Sequence, residues 1–120
     1  MVDLLISILE SIGYPVYRQG AFTEDEPYPD HFFTFWNVET PAVSHYDNRT
    51  YSYVWDFNIF FYSIDPAKTY SVMEEAINKL KAEHFIVPSK GYDVETDEPT
   101  HTGRGINVFF WKLIRRFNYG

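Results

Sequence analysis

Residues 51–62 read YSYVWDFNIFFY, and no other stretch constrains the fold as tightly. Tyr51, Tyr53, Trp55, Phe57, Ile59 and Phe61 alternate with Ser52, Val54, Asp56, Asn58, Phe60 and Tyr62. That period of two, carried by aromatic and β-branched side chains, specifies a β-strand. At about 3.3 Å per residue the run would span roughly 40 Å, twice the length of a common strand. It outruns a domain of this size, whose radius of gyration should be about 14 Å. Either a bulge breaks the strand or its end projects as an arm, and a bulge is the simpler expectation.

The neighbouring segments supply partners. Residues 31–39, HFFTFWNVE, form a second aromatic strand with apolar residues on both faces, as in a strand covered on two sides. Ile106 to Phe117 forms a third, with Phe109, Trp111 and Leu113 on one face and Ile106, Val108, Phe110 and Ile114 on the other. A short strand is expected at Val16–Gln19. Another opens at Phe85–Val87, is interrupted by Pro88 and resumes around Tyr92–Glu95.

Two helices complete the pattern. Leu4, Leu5, Ile8, Leu9 and Ile12 recur at helical spacing, and Gly13 then Pro15 stop the segment. Asp65-Pro66 starts a second helix, with Asp as N-cap and Pro at N1, running to about Ala82. Tyr70, Met73, Ala76, Ile77 and Leu80 make its expected buried stripe. The order α-β-β-β-α-β-β describes an α+β domain over residues 1–120: a mostly antiparallel sheet with two helices packed on one face. Residues 20–30, 40–50 and 96–105 read as loops. The glycines of Gly103-Arg104-Gly105 are expected to supply positive φ in a hairpin turn.

Composition excludes several function classes. There is no cysteine, so disulfide scaffolds, thiolate zinc sites and cysteine nucleophiles are absent. The formal net charge of −7 disfavours general nucleic-acid binding, which draws its affinity from Lys and Arg against phosphate. No stretch approaches the ~18 apolar residues of a spanning helix, so no membrane partner is expected. The chain reads as a protein made in the cytoplasm.

Motif searching finds little chemistry. His31, His45, His84 and His101 match no ligand spacing. A metal-dependent hydrolase would have to assemble His45, Asp47, Asp97 and His101 in space, and a ligand-binding α+β module would need a pocket. No Gly-x-Ser-x-Gly elbow surrounds any serine. No catalytic residue, metal or cofactor is therefore expected. The candidate contacts are instead charged loops: Glu24, Asp25, Glu26 and Asp30; His45, Asp47 and Arg49; Asp97, Glu98, His101 and Arg104. Lys112, Arg115 and Arg116 form a basic cluster that would suit the acidic segment of another copy.

Several blocks recur in a known order: Gly13-Tyr14-Pro15-Val16-Tyr17, then Tyr28-Pro29-Asp30 with Phe32-Phe33-Thr34-Phe35-Trp36-Asn37, then His45-Tyr46-Asp47-Asn48. Phe61-Tyr62-Ser63, Asp65-Pro66, Gly91-Tyr92-Asp93 and Asp97-Glu98-Pro99-Thr100-His101-Thr102-Gly103-Arg104-Gly105 follow. Over nearly the whole chain this set resembles a family of small tail-associated structural proteins of Gram-positive siphophages and prophages, similar to tail-terminator and tail-completion proteins. The resemblance implies a non-enzymatic virion protein: an α+β subunit assembling with itself as a ring, usually a hexamer. Its other partners would be the tail tube protein and the head–tail connector protein, with no sequence-specific nucleic acid. It would reside in the host cytoplasm during assembly and then in the virion tail.

Overall fold

The computed structural model describes residues 1–19, 28–46, 50–96 and 99–115; for 39–46, 50–53 and 112–115 it describes backbone and register. Two helices, α1 (Val2–Glu10) and α2 (Pro66–Ala82), accompany five strands. These are β1 (Val16–Arg18), β2 (His31–Tyr46), β3 (Thr50–Ser63), β4 (Tyr92–Val94) and β5 (Thr102–Arg115). They form one sheet in the order β1-β2-β3-β5-β4, antiparallel except for the β1–β2 pair. The chain is the α+β domain read from sequence, with the same element order.

Alternation along the strands separates two faces of this sheet. Phe33 pairs with Phe61, Phe35 with Ile59, Ile59 with Ile106 and Phe57 with Val108, which places all their side chains on one face. There they meet Leu5, Ile8 and Leu9 of α1 and Val72, Met73, Ala76, Ile77 and Leu80 of α2 in a single core. Burying seven large side chains of the sheet at about 1.5–3 kcal/mol each makes this face the main source of stability.

Both helices end and begin as their sequences require. The Asp65 side chain accepts a hydrogen bond from the Ala67 N–H at 3.0 Å, with Pro66 at the start of the helix. At the other end His84 takes φ +71°, the Phe85 N–H bonds Leu80 O at 2.9 Å and the His84 N–H bonds Lys81 O at 3.1 Å. That pattern is a Schellman cap with histidine where glycine is usual, and Phe85 turns back into the core. Gly13 ends the first helical segment at φ +113°. One expected core position moves: Tyr70 is 51% exposed, and Thr69 and Val72 line the buried stripe instead.

Four sequence expectations are corrected. First, β3 carries no bulge: it pairs with β5 without a register shift from Thr50 to Ser63. The irregularities lie in β2, between Asn37 and Glu39 and between Glu39 and Ala42, next to Pro41. Second, residues 40–46 are strand, not loop, because the ladder with β3 resumes beyond the bulges. Third, Gly103 and Gly105 lie inside β5, neither in a turn nor at positive φ. Fourth, of Phe85–Val87 only Ile86 pairs, in a single bridge to Phe109; β4 proper is Tyr92–Val94.

Candidate assembly surfaces

Continuous strands have a consequence for shape. The core ends at Phe57 and Val108, with Trp55 and Phe110 packed at its margin. Past that margin β2, β3 and β5 continue together through Val43–Tyr46, Thr50–Tyr53 and Lys112–Arg115 as a three-stranded arm. The arm makes the molecule 61 Å long and 22–29 Å across, with a radius of gyration of 16.7 Å. A compact domain of this length would have about 14 Å.

On the sheet face away from the helices lies a second aromatic layer. Phe32 stacks on Tyr62 with ring centroids 5.2 Å apart, and Phe60 lies 6.4 Å from Tyr62 in a parallel arrangement. Gly103 and Gly105 sit opposite Tyr62 and Phe60 in β5. A Cβ on Gly103 would stand 2.8 Å from the Tyr62 ring, and one on Gly105 2.8 Å from Phe60. These glycines therefore exist to let two rings lie flat across a neighbouring strand. Tyr28, Tyr17 and His101 close this layer over Phe32, which is 2% exposed. The His101 Nε2–H donates to Pro29 O at 2.8 Å and tethers the β4–β5 connection to the segment before β2.

Further along the same face the cover stops. Trp36 is 46% exposed and Trp111 61% exposed, far more than isolated folding favours for so large an apolar group. Between them Asp56, Asn58 and Asn107 form a polar cluster: the Asn107 amide reaches Asp56 Oδ1 at 2.6 Å and Asn58 Oδ1 at 3.0 Å. Exposed aromatics beside a satisfied polar cluster make this face a candidate contact surface.

The third feature lies at the opposite end and edge. Tyr70 of α2 donates to Asp93 Oδ1 at 2.9 Å, and Arg104 of β5 pairs with the same oxygen at 2.9 Å. The Arg104 guanidinium also lies 4.8 Å above the Tyr70 ring. Hydrogen bonding to the Asp93 carboxylate, with its charge, raises the Tyr70 phenol above its ordinary value. Beside this group a cleft of about 460 Å³ opens between α2 and β4, lined by Pro66, Tyr70, Asp93, Glu95, Thr96 and His101 among others.

The sequence-chosen residues divide accordingly. Glu24, Asp25, Glu26, Asp47, Arg49, Asp97, Glu98 and Arg116 lie outside the described residues. Asp30 stands just before β2, where its carbonyl accepts the Ile64 N–H at 3.0 Å. His45, Lys112 and Arg115 lie on the arm, opposite Tyr51, Tyr53 and Thr50. Arg104 and His101 stand at the far end of the molecule, so the structure does not bring His45 and His101 together as the hydrolase reading required. Their separation is about 40 Å, from twelve rises of β5 between the registers of Thr102 and Ile114. Among the described residues no three His, Asp or Glu side chains cluster in a way that could hold a metal ion. No helix among them is long and apolar enough to cross a membrane.

Sequence reasoning missed Tyr70 and the glycine-backed rings. Tyr70 fits the helical apolar stripe and is distinguished only by a partner 23 residues away. Gly-x-Gly just ahead of the mostly apolar run Ile106–Trp111 was the available signal for the rings, and it reads equally well as a turn. Comparison with known proteins adds no family: no protein-family model matches the chain, and no curated protein does.

Proposed function

We propose that this chain is the subunit of a homo-oligomeric ring, a hexamer as the resemblance implies, that terminates a phage tail tube and joins it to the head connector. The observation that carries the reading is the arm: three strands leave the helix-covered body and expose Trp111 at their base. A subunit that stayed alone would gain nothing from ordering strands beyond its core, since fixing each residue costs about 1–2 kcal/mol of backbone entropy. Contacts with neighbouring copies repay that cost. Apolar residues on both sheet faces and charged loops at the ends suit a protein surrounded by others. The role needs no catalytic residue and no cofactor. Its place would be the host cytoplasm during assembly and the virion tail afterwards.

The test is to polymerise purified tail tube protein with and without the chain and to view the products by electron microscopy. Rings seated at one tube end, with tubes shortened in proportion to added chain, are expected. Tubes of unchanged length with bare ends would refute the reading. No specific observation favours the hydrolase alternative.

A further inference from the structure

The arm and the cleft beside β4 lie at opposite ends of β5. Gly103 lines the cleft, whereas Lys112 and Arg115 lie on the arm, roughly 30–40 Å further along the same strand. Their charges are opposite. Among the described residues of the outer arm, 42–46, 50–54 and 111–115, Lys112 and Arg115 are charged and no Asp or Glu occurs. Among the residues lining the cleft the acids are Asp93, which Arg104 already pairs, and the exposed Glu95, and none of the lining residues is Lys or Arg. The cleft also borders β4, the edge strand of the sheet, whose other side pairs with β5. An edge strand beside an open cleft can accept a further strand.

We propose that the cleft between α2 and β4 receives the basic arm of a second copy of this chain. The inference rests on the ring reading above and names the surfaces that meet in it. A donor surface at one end and an acceptor at the other make the contact heterologous, the kind that propagates head to tail and closes into a ring when the rotation allows. Charge fixes the direction: an arm meets a cleft, whereas two arms repel. Tyr70 and Arg104 hold Asp93 in place on the cleft wall through the two bonds to its Oδ1. Glu95 stands two residues further along, exposed and available to an incoming Lys or Arg.

Two charge-reversed chains test this. One carries Asp93→Lys with Glu95→Lys, and the other Lys112→Glu with Arg115→Glu. Sedimentation velocity over a concentration series should show each variant assembling only at about tenfold or more above the wild-type concentration. Mixed in equal amounts, the two should assemble again, because each arm then meets a cleft of opposite charge in alternation. Thermal melting checks that each variant folds, and Glu95→Lys alone, at an exposed position, gives a milder version that should weaken assembly about threefold. Variants that assemble like wild type, or a mixture that stays as separate monomers, would overturn the contact and leave the cleft to another protein's strand. A wild-type chain that is monomeric throughout would instead overturn the ring reading itself, so the two failures are distinguishable.

Discussion

The body and the arm are built from the same three strands, yet they obey different rules. In the body, β2, β3 and β5 present Phe33, Phe35, Phe57, Ile59, Phe61, Ile106 and Val108 to two helices, and every one of these is at most 1% exposed. In the arm the strands continue with unbroken β3–β5 register while the helices and the core stop. Backbone pairing alone contributes little net stability, because the same groups bond water in the unfolded chain. The body therefore carries its own core, whereas the arm runs past it. One sequence pattern, alternation of large side chains, serves folding in one half of a strand and, in the proposed ring, association in the other.

Substitutions at the two ends of this comparison should behave differently. Phe61→Ala empties a fully buried site and should lower unfolding free energy by about 3–5 kcal/mol in urea titration. Trp111→Ala, a change of similar size at a 61% exposed site, should stay within about 0.5 kcal/mol of wild type in the same measurement. Equal losses at both sites would erase the distinction between body and arm.

An intermediate effect is expected on the outer face. Gly103→Val would press a side chain into the Tyr62 ring, 2.8 Å from the Cβ position, and also toward Val94 O at 3.1 Å. Overpacking of that kind costs about 1–3 kcal/mol, and the displaced rings should alter the near-ultraviolet circular dichroism. An unchanged spectrum and midpoint would mean that the outer layer is not tightly packed. A smaller change of opposite sign tests the end of α2: His84→Gly relieves a left-handed backbone at φ +71° and should raise stability by up to about 1 kcal/mol.

The weakest effect depends on pH. The Tyr70 phenol is raised by its hydrogen bond to Asp93, so the folded chain holds that proton more tightly than the unfolded one. Its contribution is complete below the ordinary tyrosine range and is lost as pH rises through the raised folded value. Asp93→Asn should lower the Tyr70 midpoint followed by ultraviolet absorbance and leave stability near pH 7 almost unaltered. A midpoint that does not move would show that the Tyr70–Asp93 bond is absent in solution.

Much of this division was legible in the sequence. Alternation in 51–62 named the central strand, Asp65-Pro66 named the start of α2, and Gly13 named the end of the first helical segment. What was not legible follows from three physical facts. A proline usually breaks a strand, but Pro41 lies beside the bulges of β2 on a stretch that pairs with β3 alone, so strand and proline coexist. Glycine usually marks a turn, but at Gly103 and Gly105 it makes room for rings from the adjacent strand, which local sequence does not encode. Histidine seldom takes positive φ, and at His84 the pull of Phe85 into the core decides the backbone. The candidate surfaces were half visible: the basic cluster at 112–116 was chosen from charge, whereas Tyr70, Asp93 and Arg104 come from three elements that only the fold brings together.

Sedimentation velocity of the unmodified chain over a hundredfold concentration range tests the central claim, that the arm exists to join copies, most directly. The account predicts a reversible shift from monomer to one discrete assembly of several copies. A single monomeric boundary at every concentration would contradict it.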